Sequence, residues 1–162
     1  MSEAQAPVQL PDGVQRVLVT GGAGFIGSAV VRWLLRHSSA QVFNLDKLSY
    51  CSDLSSIEQL PAAADRHTLL QVDLADGDAT AAAVRQADPD LVLHLAAESH
   101  VDRSIDGPGA FISSNVFGTF ALLQAVRQHH AALPAERQAR FRLHHISTDE
   151  VFGSLGPTGR FS

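Results

Sequence analysis

Three glycines, Gly21, Gly24 and Gly27, stand at three-residue spacing between the β-branched run Arg16–Thr20 and the segment Phe25–His37, in which Ile26, Val30, Trp33 and Leu34 share one helical face. The pattern reads as strand, tight turn, helix. Glycine serves such a turn in three ways: it allows positive φ, lets backbone approach a ligand closely, and lets the helix pack hard on the strand. The helix start then offers free N–H groups and a positive dipole end to an anion, a pyrophosphate above all. Taken alone, the spacing fits a turn that binds nothing equally well. Its surroundings have to decide.

The same alternation runs on through the chain. Strands are predicted at 41–45, 68–72, 91–95 and 141–146, with helices at 52–59 and 78–86 and a longer, more apolar one at 109–130. Parallel strands need crossover helices, so this order predicts a doubly wound, Rossmann-like α/β sheet covered on both faces. In the order 3-2-1-4-5, a ligand lies outside the carboxyl ends of the strands, where the winding reverses. The glycine turn, Asp46, Asp73, Leu95-Ala-Ala-Glu-Ser99 and Ser147-Thr-Asp-Glu150 all fall on that edge.

Asp46 lies nineteen residues past Gly27, close to the roughly 20 expected for the acid that accepts ribose hydroxyls. Its charge repels a 2′-phosphate, which favours NAD over NADP, while the adjacent Lys47 pulls the other way. Asp73 fits either a loop cap or an adenine contact. Ser147-x-x-Glu150 fits a capping box. At the switch point, however, Asp149 and Glu150 can divide acid and base roles, and Thr148 can donate to a substrate oxygen.

Composition sets outer bounds. At 162 residues, 45% apolar and 18% charged, the chain suits one folded domain, expected over 16–162 after a loose leader at 1–15 without signal-peptide character. A net charge of -5 gives no general attraction for nucleic acid. A lone Cys51 points to a reducing cytoplasm. No uninterrupted apolar stretch reaches bilayer length, so no membrane partner is expected. Eight histidines show no metal-ligand spacing: His144 and His145 point to opposite faces of a strand, and His129 and His130 suit a helix end. Asp102 and Arg103 read as a loop ion pair.

The strings Val19-Thr-Gly-Gly-Ala-Gly-Phe-Ile-Gly-Ser28, Asp46-Lys-Leu-Ser-Tyr50, His94-Leu-Ala-Ala-Glu-Ser-His-Val-Asp-Arg-Ser-Ile105, Asn115 and His144-His-Ile-Ser-Thr-Asp-Glu-Val-Phe-Gly153 resemble the extended short-chain dehydrogenase/reductases. Within that family they are most similar to the dTDP-glucose 4,6-dehydratases, of which Thr-Asp-Glu is the signature. The resemblance implies NAD contacts at Phe25, Ile26, Asp46, Lys47, Leu48, Ser49, Asp73, Leu74, Leu95, Ala96, Ala97, Glu98, Ser99 and Ser114, beside Gly21, Gly24 and Gly27. It implies contacts to dTDP-glucose at Ser99 and Thr148. The implied chemistry oxidises sugar C4, removes the C5 proton with Glu150, protonates the departing C6 hydroxyl with Asp149, and returns the hydride to C6. The helix at 109–130 resembles the family's dimer helix, which implies a homodimer.

Three departures stand out. Phe152 replaces the usual Tyr, Cys51-Ser-Asp follows Tyr50, and the family's Tyr-x-x-x-Lys helix is absent. The single Lys47 and single Tyr50 occur in the opposite order, at the adenosine side. The sequence therefore reads as a cofactor domain that stops before the last strands and the substrate domain, inactive without them. Another NAD-dependent sugar-nucleotide epimerase or decarboxylase, and a non-catalytic NAD-binding fragment, remain as alternative readings.

Overall fold

Val17, Leu18 and Val19 are completely buried, as only a strand covered on both faces requires. They form the centre of β1 (Arg16–Thr20), and their alternation sends Val17 and Val19 into one core layer and Leu18 into the other. The structure is a computed structural model that describes residues 9–153, 156 and 158–160. Around β1 lie β2 (Gln41–Asp46), β3 (His67–Gln71), β4 (Leu91–His94) and β5 (Arg142–His145), all parallel, in the order β3-β2-β1-β4-β5. This is the doubly wound sheet that the alternation implied.

The helices divide between the faces. α1 (Phe25–His37) and the short α2 (Ser55–Glu58) and α3 (Ala63–Arg66) bring Val31, Leu34, Ile57 and Ala63 against Val17, Val19 and Val42. α4 (Gly77–Ala87) and α7 (Thr119–Ala132) pack along each other and bury Val84, Leu122 and Val126 against Leu18, Leu45 and Val92. Asp76 caps α4 by accepting from the Ala79 N–H at 3.0 Å.

Three helices are absent from the sequence reading: the four-residue α3, and α5 (Val101–Asp106) and α8 (Ala135–Arg140), each of six residues. None is long enough to show a periodic apolar stripe. Asp102 and Arg103, expected as a loop ion pair, lie on α5, and Arg103 stacks instead over the Tyr50 ring, 3.6 Å from its centroid. The helix predicted at 109–130 begins earlier, as α6 (Pro108–Phe111), where Gly107 breaks from α5 and Pro108 occupies a first-turn position. It then widens into a π-helical stretch, Ile112–Gly118, before continuing as α7.

From Pro108 to Ala132 this rod is long and apolar enough to cross a bilayer by length and composition, against the sequence expectation. Leu122, Ala125 and Val126 cover the sheet, while Ile112, Val116, Phe117, Phe120 and Leu123 are exposed. The expected leader falls partly outside the described residues. Its described part packs Leu10 and Val14 against the second core layer, and the Gln15 N–H donates to Asp90 at 3.0 Å.

Candidate functional site

The turn after β1 explains its own glycines. Gly21 adopts φ +70°, and a Cβ there would lie 2.7 Å from the Ala96 Cα. At Gly27 a Cβ would meet the Gly21 carbonyl oxygen at 2.0 Å, a contact that only main-chain rearrangement could relieve. Gly24 differs, since its Cβ would find one neighbour at 3.3 Å. Gly24 starts α1 with no side-chain cap and no acidic residue in the first turn. The helix N-terminus is thus open toward a cleft of about 490 Å³, within the usual range for ligand sites.

Every residue of the expected cofactor set except Leu48 lines this cleft: Gly21, Gly24, Phe25, Ile26 and Gly27 from the turn and α1, Asp46 at the end of β2, Lys47 and Ser49 just after it, Asp73 and Leu74 after β3, Leu95 to Ser99 after β4, and Ser114. Tyr50, Ser52, Val72 and His100 line it too. Tyr50 and His100 lie within the quoted strings and Ser52 and Val72 near Tyr50 and Asp73, and that proximity was the available signal. Phe25 is 94% exposed at the cleft wall, an apolar surface that a stacked ligand would cover.

Asp46 does more than end a strand. Its Oδ2 accepts from the Ala23 N–H at 2.9 Å, and its Oδ1 accepts from the Leu48 N–H at 2.8 Å and the Ser52 hydroxyl at 3.2 Å. The carboxylate ties the glycine turn to its own loop. Leu48, at φ +59°, takes the left-handed conformation that leucine rarely adopts. Asp73 accepts from the Ala75 N–H at 2.9 Å, so it acts as a loop cap while lining the cleft.

A bridge crosses the mouth. Lys47 Nζ lies 3.0 Å from Glu98 Oε1 and donates to Ser114 Oγ at 2.9 Å. Glu98 is held in turn by Asn115, whose Oδ1 accepts from the Glu98 N–H at 2.8 Å and whose amide donates to the Glu98 carbonyl at 2.9 Å. Ser114 and Asn115 both come from the π-helical stretch, a distortion often found at functional sites.

Beneath the cleft, His94 is buried between Thr20 and Thr119 and stacks on His145 at 4.9 Å. The sequence reading passed over His94 because one histidine at a strand end looks like ordinary core. Thr148 and Asp149 follow β5 on the same sheet edge, exposed and outside the cleft lining, with Thr148 Oγ1 3.5 Å from Asp149 Oδ1. A 3-10 turn, Asp149–Phe152, begins there. The Glu150 side chain, expected as general base, lies outside the described part of the structure.

A parallel sheet with a glycine turn, an uncapped helix start and a carboxylate after the second strand defines a dinucleotide-binding α/β protein. The residues fit such a cofactor, because Gly24 leaves its side-chain position open and the uncapped first turn of α1 lines the cleft. Residues 18–160 match the family model described as GDP-mannose 4,6 dehydratase, and the chain belongs to that family. It is 50% identical over 145 residues to the dTDP-glucose 4,6-dehydratase of Neisseria meningitidis serogroup B, covering 90% of this chain and 41% of that protein. The dTDP-glucose 4,6-dehydratase of Streptomyces venezuelae, solved with NAD bound, superposes with a TM-score of 0.75 at 38% identity over 90% of this chain and 43% of that one. A UDP-glucose 4-epimerase from Thermus thermophilus, in complex with NAD, gives 0.61 at 37% identity over 71% of this chain and 34% of that one. The chain thus spans about two fifths of the length of the relatives it matches.

Proposed function

We propose that the chain binds NAD and forms the cofactor-binding part of a dTDP-glucose 4,6-dehydratase, a hydro-lyase of nucleotide-sugar metabolism that converts dTDP-glucose into its 4-keto-6-deoxy derivative and water. The observation that carries this reading is the single cleft gathering the glycine turn, Asp46 and the Leu95–Ser99 segment. NAD held there would supply hydride transfer, taking a hydride from sugar C4 and giving it back at C6. The glycine turn and α1 would hold the pyrophosphate, and Asp46 would accept a ribose hydroxyl with the lone pair left on Oδ2.

Thr148 would donate to the sugar and Ser99 would add a second contact. Asp149 would protonate the departing C6 hydroxyl, and Glu150 would take the C5 proton acidified by the ketone. Neighbouring carboxyls suit that division because elimination needs an acid and a base at adjacent carbons. The exposed Ile112, Val116, Phe117, Phe120 and Leu123 form an apolar face of the kind that association covers, and we assign it to a homodimer contact.

Calorimetric titration of the chain with NAD is the direct test. One site per chain is expected, and absence of binding defeats the reading. For the chemistry, Asp149→Asn and Glu150→Gln are made in a chain extended to the length of the relatives, and loss of water from dTDP-glucose is followed by mass spectrometry. Wild-type rates in both variants would refute the acid and base roles.

A further inference from the structure

Among the described residues, Lys47 lines the ribose end of the cleft, and Arg103 lines an adjoining pocket that Lys47 also borders. Both are engaged within the chain. Arg103 lies on the Tyr50 ring, and Lys47 reaches over the mouth to Glu98 at 3.0 Å and Ser114 at 2.9 Å. Glu98 cannot readily follow a moving lysine, because Asn115 holds its backbone on both sides. Its carboxylate is mostly buried, at 15% side-chain exposure, so the pair is screened less than a surface pair.

The consequence concerns the ribose 2′ position. Lys47 directly follows the acid placed to meet the ribose, where a free lysine would pair with a 2′-phosphate as a point charge. Held by Glu98, that charge is neutralised and turned toward the β4 side of the cleft. An incoming 2′-phosphate then meets the Asp46 carboxylate with no uncommitted cation beside it.

We propose that Glu98 determines cofactor preference, excluding the 2′-phosphorylated dinucleotide by sequestering Lys47. The inference rests on the dinucleotide reading above. Asp46 supplies the repulsion, and Glu98 removes the residue that would offset it. Glu98→Gln keeps the shape and the backbone contacts to Asn115 and releases the lysine.

The test measures dissociation constants for NAD and for NADP by calorimetry on the wild-type chain, Glu98→Gln, Lys47→Met and the double variant. Wild type is expected to favour NAD, and Glu98→Gln to lower the NADP-to-NAD ratio of dissociation constants by about tenfold, the effect of one charge-assisted contact. The double variant, which removes both charges of the pair, is expected to return to the wild-type ratio. Lys47→Met by itself leaves the Glu98 carboxylate unpaired and is expected to disfavour NADP further. An unchanged ratio in Glu98→Gln overturns the proposal. So does a drop that survives in the double variant, since the lysine would then play no part. Failure of the wild type to bind either ligand is a different result, which removes the dinucleotide reading itself.

Discussion

Thr20 Oγ1 and His94 Nδ1 lie 2.6 Å apart, joining the carboxyl ends of β1 and β4 directly beneath the cleft. The Ala96 N–H donates to Thr20 Oγ1 at 3.2 Å, which leaves the Thr20 hydroxyl its proton to give to Nδ1. With the ring proton on Nε2, 3.1 Å from Thr119 Oγ1, a neutral imidazole satisfies all three groups. A protonated ring cannot accept from Thr20.

Burial first, and then the nearby His145, lower the His94 pKa from 6.5 to about 4. Between those values the unfolded chain takes up a proton that the folded chain refuses. Stability is thus complete above pH 6.5, falls as pH drops toward 4, and levels off below, with a loss of about 3 kcal/mol at most from this group. His67, also lowered by burial, adds in the same direction, so the comparison must be between variants. In His94→Gln, urea unfolding at pH 7 and pH 4.5 should show a smaller acid-induced loss than in wild type. Equal losses would mean that His94 is not the group responsible.

The glycine turn separates fold from ligand binding. Gly27→Ala places a Cβ 2.0 Å from the Gly21 carbonyl oxygen and should cost several kcal/mol, since neighbouring backbone must move. Gly24→Ala meets one atom at 3.3 Å and should change stability by less than about 1 kcal/mol, while its methyl narrows the cleft and weakens NAD binding at least tenfold. Thermal melts paired with NAD titrations decide this. Equal melting temperatures for the two variants would contradict it.

Asp46 and Asp73 offer a second contrast. Asp46 takes three hydrogen bonds from Ala23, Leu48 and Ser52, and an asparagine there must turn its NH2 toward at least one donor. Asp46→Asn should lose about 1–3 kcal/mol of stability along with NAD affinity. Asp73 is exposed and accepts from Ala75 alone in its turn, a role that asparagine fills as well. Asp73→Asn should stay within about 0.5 kcal/mol of wild type. Chemical denaturation of both proteins in parallel checks the difference.

What was legible in the sequence follows what periodicity records. β1 and α1 were readable to the residue because their apolar spacing reports burial on the sheet, and the strand order, taken from the sequence only as the Rossmann condition, is the one the sheet adopts. The edge that carries the cleft was readable because β1 to β4 are each followed or ended by polar or glycine residues there, and the individual lining residues came from the family resemblance. Pairings between distant segments left no such trace. Lys47 meets Glu98 across the cleft, and Arg103 meets Tyr50 between α5 and the loop after β2, through contacts that only the folded topology creates. The π-helical stretch was hidden because Ile112–Gly118 keeps a helical apolar pattern while presenting Ser114 to the loop after β2 and Asn115 to the loop after β4.

Arg137 provides the last prediction, far from the cleft at the opposite end of the sheet. Its Nη1 donates to both Asp88 carboxylate oxygens at 3.1 and 3.0 Å, its Nη2 to the Asp88 carbonyl at 3.0 Å, and its Nε to Asp90 Oδ1 at 3.0 Å. The other Asp90 oxygen accepts from the Gln15 and Arg16 N–H groups at 3.0 Å each, so the guanidinium anchors the acid that organises the entry to β1. The bonds to Asp88 raise the Arg137 pKa and keep it charged at all relevant pH. Lysine cannot reproduce this planar fork, so Arg137→Lys should lose about 1 kcal/mol, part of which disappears in 1 M salt where ion pairing is screened. Asp90→Ala should lose more, about 2 kcal/mol, because two backbone donors are left without an acceptor, and salt should not restore it. Denaturant midpoints at low and high salt test the ordering, and an Asp90→Ala loss no larger than that of Arg137→Lys would show that β1 does not depend on this acid.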